Sequence, residues 1–162
     1  MSRPVLRSWR VVGGLIEAGD SVLLVQNSRR DGSLDWSPPG GVVEDPESPL
    51  EGLTREVLEE TGILVHEWEG PAYEVEVVAA SLGWVLAAQV FCARQFSGRL
   101  RVCDPDGIVV RAEFVPRLLA DRRLGSSRPW VGEPLASYLD DPAGARRLWR
   151  YRIGEDLVVR RG

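Results

Sequence analysis

The segment from Ser48 to Gly62, SPLEGLTREVLEETG, leaves the fewest conformational choices of any in this chain. Ser48 suits a helix N-cap, Pro49 the first helical position, and Glu51 stands three residues after the serine, the pattern of a capping box. Gly62 suits the left-handed residue that ends a helix. A helix from about Pro49 to Gly62 puts Leu50, Leu53, Val57 and Thr61 on one core-facing stripe, with Leu58 at its edge. Glu56, Glu59 and Glu60, three and four residues apart, then meet beside that stripe. Like charges at that spacing cost roughly 0.2–0.5 kcal/mol per pair, so the arrangement calls for a cation among the carboxylates. Gly52 lies one turn before Glu56. An interior glycine there costs up to about 1 kcal/mol against alanine, and close approach by a ligand or by backbone is the benefit to look for. Arg55 can pair with Glu51 and Glu59 at four-residue spacing.

The flanking patterns are mostly those of strands. Runs at 9–16 (WRVVGGLI) and 22–26 (VLLVQ), separated by the turn-like EAGDS, read as a hairpin of two largely buried strands. The polar NSRRDGSLDWSPPGG that follows is a long loop, and such loops inside a compact domain are usually functional or disordered. After the helix, strand-like runs fall at 73–80, 84–93 and 108–115. The second is nearly all apolar and is expected at the centre of a sheet. Helices at about 116–123 and 132–140 and a terminal hairpin turning at Gly154–Asp156 complete the pattern. A chain of 162 residues suits one domain, here residues 1–162, with a C-terminal extension at about 141–162.

Composition removes several classes of chemistry. Cys92 and Cys103 form no CxxC pair and His66 is the single histidine, so a structural zinc site has no ligands to draw on. The two cysteines read as small buried hydrophobes. All 20 basic residues are arginine, which excludes a Walker-type phosphate lysine and lysine Schiff-base chemistry. The net charge of −4 argues against a nucleic-acid polymer as partner, while small phosphorylated molecules remain open. Arg3, Arg7 and Arg10 precede an apolar run that Glu17 breaks too early for a secretory leader, and no segment has the apolar length of a membrane span. A cytoplasmic location is the expectation.

Read from Gly41, the sequence is GVVEDPESPLEGLTREVLEETGI: a glycine, five residues, Glu47, seven residues, Arg55-Glu56, two residues, Glu59-Glu60, one residue, Gly62 and an aliphatic. This stretch, residues 41–63, resembles the 23-residue signature of the Nudix hydrolases. The preceding Trp36-Ser-Pro-Pro39-Gly40 is similar to the lead-in common in that family. Gly52 departs from the small alanine often found at its position. The resemblance implies a Nudix fold, an α/β/α sandwich around a mixed β-sheet within the α+β class. It also implies hydrolysis of a diphosphate linkage with a metal ion. Oxygen-only donors on a helix suit Mg²⁺ or Mn²⁺.

By this resemblance Glu56 and Glu60 hold the metal, Glu59 joins them or positions the attacking water, and the Gly40 carbonyl lends an oxygen. Glu47 and Arg55 pair to hold loop and helix together. The family draws its general base from the motif helix or from a later loop, so Glu59 stands first, with Glu113 a later acid open to either a catalytic or a solvent-facing role. Arg29 and Arg30 could clamp a substrate phosphate or be a solvated pair. Trp36 could stack on a nucleobase, as could Trp84, Trp130 and Tyr73, or these rings could simply pack. The implied substrate is a small nucleotide: ADP-ribose, a nucleotide sugar, a dinucleoside polyphosphate, or a canonical or oxidised nucleoside triphosphate. A non-catalytic nucleotide-binding regulatory module is the alternative, disfavoured because no motif carboxylate is missing. A homodimer is open to the chain in the sense that exposed strand edges can pair.

Overall fold

The computed structural model describes residues 5–162, so Arg3 lies outside the described residues. Strands β1 (Arg7–Leu15), β2 (Glu17–Ala18), β3 (Ser21–Ser28), β4 (Leu34–Ser37) and β5 (Gly40–Val42) precede helix α1 (Pro49–Thr61). Strands β6 (Ile63–Ala79), β7 (Trp84–Gly98) and β8 (Val109–Pro116) follow, with a short 3₁₀ turn at Ala80–Leu82. Helices α2 (Arg117–Leu124) and α3 (Pro129–Asp140) lead to the final strands β9 (Leu148–Ile153) and β10 (Val159–Arg161). The architecture is α+β, as expected, but the strands divide between two sheets. One is mixed, in the order β10-β9-β6-β7-β1-β5, and the other joins β2, β3 and β4 with β8 on β3. Helix α1 covers a core of Val12, Leu23, Val57 and Phe91, and α2 and α3 cover a larger one that includes Val77, Leu124, Leu135 and Tyr151. Among the described residues no helix is long and apolar enough to cross a membrane.

The first two apolar runs do not pair as a hairpin. β1 has both edges occupied, by β7 in parallel from Arg7↔Trp84 to Leu15↔Cys92 and by β5 antiparallel. The chain therefore bends at Ile16 into the second sheet, where β2 and β3 make the hairpin through Glu17↔Val22 and Ala18↔Ser21. β6 begins directly after Gly62, ten residues before its expected start. Its charged, proline-containing first half pairs with β7 through several irregularities of register, which is why it lacks a clean strand pattern. The terminal hairpin forms as expected, and β9 lies parallel to β6 with Trp149 and Tyr151 buried. The residues set apart as an extension thus complete the main sheet.

On α1 the local reading holds at both ends. The Ser48 hydroxyl accepts from the Glu51 N–H at 3.2 Å, and Gly62 is left-handed with its N–H donating to the Leu58 carbonyl at 2.9 Å. A Cβ at Gly62 would lie 2.3 Å from the Arg99 carbonyl oxygen, so the position excludes side chains on space as well as conformation. Leu53, Val57 and Thr61 are buried, but Leu50 and Leu58 are 38% and 44% exposed. Leu50 lies in the first turn and overhangs the core, and Leu58 is turned about 100° round the helix from Val57, which corrects the stripe at its two margins.

Candidate active site

β5 runs antiparallel to β1, with Gly13↔Gly40 and Val12↔Gly41 as partners. A Cβ at Gly40 would sit 2.0 Å from the Val12 carbonyl oxygen, and one at Gly41 would sit 2.9 Å from the Glu56 carboxyl carbon. Two successive glycines therefore let bare backbone lie between β1 and the acidic face of α1. The Gly40 N–H donates to Glu60 Oε2 at 3.0 Å. Glu60 is only 7% exposed, and the Glu56 side chain is 15% exposed.

Burial pushes the Glu60 carboxyl up to about 8, against the Gly40 hydrogen bond and with the charges of Glu56, Asp104 and Glu59 adding to the rise. Glu56 is raised for the same first reason; Arg55 opposes the rise, and Glu59 and Asp106 reinforce it. Glu60 has no cationic partner among the described residues, and Glu56 has only a share of Arg55, which is largely engaged elsewhere. Its guanidinium grips Glu47 with two hydrogen bonds of 2.9 Å, and reaches Glu59 and Glu56 at 3.3 Å. The Glu47–Arg55 pair ties the loop to the helix as the resemblance implies. Glu51 does not join, since the fork of Arg55 fits the Glu47 carboxylate instead. The Glu47 carboxylate also occupies the space beside Gly52, where an added Cβ would meet it at 3.9 Å. That is ordinary contact, so the close approach expected at Gly52 is by a side chain and does not demand glycine.

The segment between β7 and β8 brings two further acids, which the sequence reading passed over. Arg101 N–H donates to the Thr61 carbonyl and Cys103 N–H to the Glu59 carbonyl, at 2.8 and 3.0 Å, satisfying helix-end groups that would otherwise be orphaned. Asp104 accepts from the N–H groups of Asp106, Ile108 and Val109 and so fixes the loop, while Asp106 is exposed beside it. The turn signature Asp104-Pro-Asp106-Gly between two strands was the available clue to them.

Glu56, Glu60, Asp104 and Asp106 line one end of a cavity of about 460 Å³, together with Gly40 and Gly41. Tyr73, Leu86, Val90 and Trp130 line an apolar part, and Asn27, Arg29 and Ser37 a polar wall. Of the rings named from sequence, Tyr73 and Trp130 are brought to this cavity. Trp84 instead backs Trp130, edge to face at 6.4 Å. Trp36 is not brought there. It is 5% exposed, and the Arg123 and Arg111 guanidinium carbons lie 4.6 and 5.8 Å from its ring centre, so it packs rather than stacks on a ligand. Arg29 reaches the cavity with its guanidinium engaged by Asp35 at 2.6 and 2.8 Å, whereas Arg30 is exposed away from it. Of the two roles open to Glu113, its position favours the one outside the cavity. It points to the face of β8 opposite Ala112 and Phe114, which pack toward α1, and its carboxylate lies 3.3 Å from Arg123 and 3.4 Å from Arg111. Cys92 is buried, as expected, but Cys103 is exposed, because its loop lies on the surface of the α1 terminus.

Among the described residues no three acidic, histidine or cysteine side chains are already gathered as a metal cage. The donor set nevertheless fits Mg²⁺ or Mn²⁺. Mg²⁺ commonly binds through one or two carboxylates, keeps several waters and takes the rest of its shell from substrate phosphates. Glu56 and Glu60 are the residues that would provide those carboxylates, in a surround whose unfavourable charge a cation would relieve.

Comparison with known proteins gives a consistent family. A sequence model of the NUDIX domain matches residues 7–125. The 8-oxo-dGDP phosphatase of Mus musculus is 30% identical over 109 residues, which are 67% of this chain and 32% of that protein. An RNA pyrophosphohydrolase of Rhizobium meliloti is 49% identical over 51 residues, 31% of this chain and 30% of that one. The matches thus span about a third of these curated relatives. Among solved structures, a NUDIX hydrolase from Nitrosomonas europaea aligns with a TM-score of 0.67 at 26% identity over 86% of this chain and 92% of its own. A MutT protein from Bacillus halodurans shares the fold, with a TM-score of 0.68 at 24% identity over 93% and 94%.

Proposed function

The chain belongs to the Nudix family, and from that premise we propose that it is a Mg²⁺- or Mn²⁺-dependent hydrolase of a nucleoside diphosphate derivative. The observation that carries this reading is the buried Glu60, unpaired by any cation among the described residues, beside the half-buried Glu56, both lining a cavity whose other walls are aromatic and polar. Glu56, Glu60 and the Gly40 carbonyl would hold the metal. When bound, such an ion neutralises charge developing on the diphosphate oxygens and lowers the pKa of a coordinated water.

The chain's own groups supply the rest. Gly40 and Gly41 bring backbone against the carboxylates, and the Gly40 N–H fixes Glu60. Arg55 joins Glu47 to the acidic helix and holds its position relative to the loop. Leu86, Val90, Tyr73 and Trp130 line the apolar part that would receive a nucleoside, with Tyr73 and Trp130 themselves only 3% and 8% exposed. Two acids are free to take the proton of the attacking water. Glu59 is held by a 3.3 Å contact with Arg55 and is not itself among the residues lining the cavity, whereas Asp106 lines it directly. Glu59 remains our first assignment for this role, with Asp106 second.

The test is product release from ADP-ribose, nucleotide sugars, dinucleoside polyphosphates and canonical or oxidised nucleoside triphosphates, each with Mg²⁺ and with Mn²⁺. Turnover of one class that falls by about 10²-fold or more in Glu60→Gln is expected. Equal turnover by wild type and variant, or none on any compound, would overturn the reading. Separate Glu59→Gln and Asp106→Asn variants then distinguish the two proton acceptors by which one lowers turnover while substrate and metal affinity stay unchanged.

A further inference from the structure

The polar wall of the cavity contains a side chain whose orientation is fixed by chemistry. Asn27, 6% exposed, stands directly across from Asp35 in the β3–β4 pair, with Ser37 two residues further along. Its Nδ2 donates to Asp35 Oδ1 at 3.0 Å and to Ser37 Oγ at 2.9 Å. Asp35 can only accept, because Arg29 grips it with two hydrogen bonds of 2.6 and 2.8 Å. Burial raises the Asp35 carboxyl, but the hydrogen bonds from Arg29 and Asn27 outweigh it and leave the group below its ordinary value, hence ionised. A flipped Asn27 amide would point its carbonyl oxygen at a carboxylate. Both N–H groups of Asn27 are therefore used, and among the described residues no donor reaches its Oδ1. Opposite this strand, β8 slips register between Gln26 and Asn27, an irregularity of the kind that re-aims a side chain beside a site.

We propose that Asn27 is a specificity-determining residue, its carbonyl oxygen held toward the cavity by the Asp35–Arg29 pair so that it accepts a hydrogen bond from an N–H on the nucleobase edge. Asp35 and Arg29 are positioning residues. The assignment rests on the cavity being the nucleotide site proposed above, and it adds which atom reads the base and why that atom is an acceptor. A base that turns a lone pair to this wall sets two acceptors against each other, and Asn27 cannot flip without facing its carbonyl oxygen to the Asp35 carboxylate. A base that turns an N–H to it completes the row of hydrogen bonds running from Arg29.

The test measures equilibrium binding, without turnover, of nucleoside 5′-monophosphates in pairs that differ by an N–H against a lone pair or a hydrogen. Suitable pairs are inosine with purine riboside, guanosine with O6-methylguanosine, and 8-oxoguanosine with guanosine. Wild type is expected to favour the N–H member of at least one pair by about tenfold or more in Kd. Asp35→Asn, nearly isosteric, supplies an amide donor to Asn27 Oδ1 and lets the Asn27 amide turn its N–H groups to the cavity. The preference should then shrink to under about twofold or reverse. Asn27→Leu should lose the preference with the fold intact, by its unfolding transition. Equal binding within every pair, no binding of any member, or ratios unchanged in both variants would overturn the assignment. If the ratios behave as expected and no diphosphate is cleaved, the hydrolase reading fails alone. Cleavage without discrimination sinks only the assignment of Asn27.

Discussion

Gly41→Ala separates the site from the fold more cleanly than removal of a carboxylate. The backbone at Gly41 lies outside the left-handed region, so alanine can adopt it, and the atoms an added Cβ meets are the Glu56 carboxyl carbon at 2.9 Å and Oε1 at 3.0 Å. Carbon atoms normally approach to about 3.5 Å or more, so the Glu56 carboxylate must retreat by roughly 0.6 Å. Metal–ligand distances tolerate only about 0.2 Å, and Mg²⁺ demands near-ideal octahedral geometry. Misplacement on this scale costs on the order of 10²-fold in rate, about 2.7 kcal/mol of barrier. The obstacle is the far end of a flexible side chain, so stability should change by under about 1 kcal/mol, a shift in Tm of roughly 2–4 °C at most for a chain of this size. Gly40→Ala is the contrasting control. Its Cβ would lie 2.0 Å from the Val12 carbonyl, a backbone atom that can move only if β5 leaves β1. Mg²⁺ titration of turnover and thermal unfolding would be run on both. Full activity in Gly41→Ala, or a loss of Tm equal to that of Gly40→Ala, would refute the reasoning.

Gly52→Ala should raise stability by about 0.5–1 kcal/mol with activity retained, because a Cβ there makes only ordinary contact at 3.9 Å and helix-interior glycine is costly; a thermal melt checks it. Leu53→Ala, at a fully buried position on the core-facing stripe of α1, should cost about 2–5 kcal/mol in urea unfolding. Glu113→Gln should leave turnover within about twofold of wild type, since its carboxylate faces Arg123 and Arg111 rather than the cavity; a loss beyond about tenfold would return it to the mechanism. Asp156, lowered to about 2 first by its Arg160 hydrogen bonds and then by the Val158 N–H, supports the folded hairpin at pH values above its ordinary range, and this support is lost as pH falls through about 2. An NMR titration of the Asp156 carboxyl and of the β9 and β10 amides would show it.

Helix α1 was legible almost residue by residue because its signals are local. A serine cap, a proline, a glycine stop and a charge pattern all act within four residues. The same locality explains Leu50 and Leu58, whose periodicity is right but whose burial depends on where the sheet ends. The β1–β3 error is of the opposite kind. Two apolar runs beside a turn make a hairpin only if their edges are free, and β1's edges are taken by strands far along the chain, which no short window shows. Glu113 stayed open between two roles because strand alternation gives two faces but not which of them meets the cavity. Asp104 and Asp106 were missed because they reach the cavity through the docking of their loop on the end of α1. Asn27 carried no pattern in sequence. Its interest comes from Asp35 and Arg29, one a cross-strand partner and the other a side chain beyond it.

The site also bears on why α1 needs so many local supports. Glu60 is buried against two or three other carboxylates, and without a cation this costs the fold stability as pH rises and the group ionises. The capped N-terminus, the left-handed Gly62, the buried Leu53 and Val57 and the Glu47–Arg55 fork all hold the helix from positions that do not depend on the metal. A helix stabilised in this way can keep Glu56 and Glu60 close together, with Arg55 reaching Glu56 only at 3.3 Å, so that an ion arriving with a diphosphate would find them already in place. The arrangement explains why the cationic partner nearest to hand, Arg55, sits with Glu47: a guanidinium placed directly between Glu56 and Glu60 would stabilise the protein and occupy the position the ion requires.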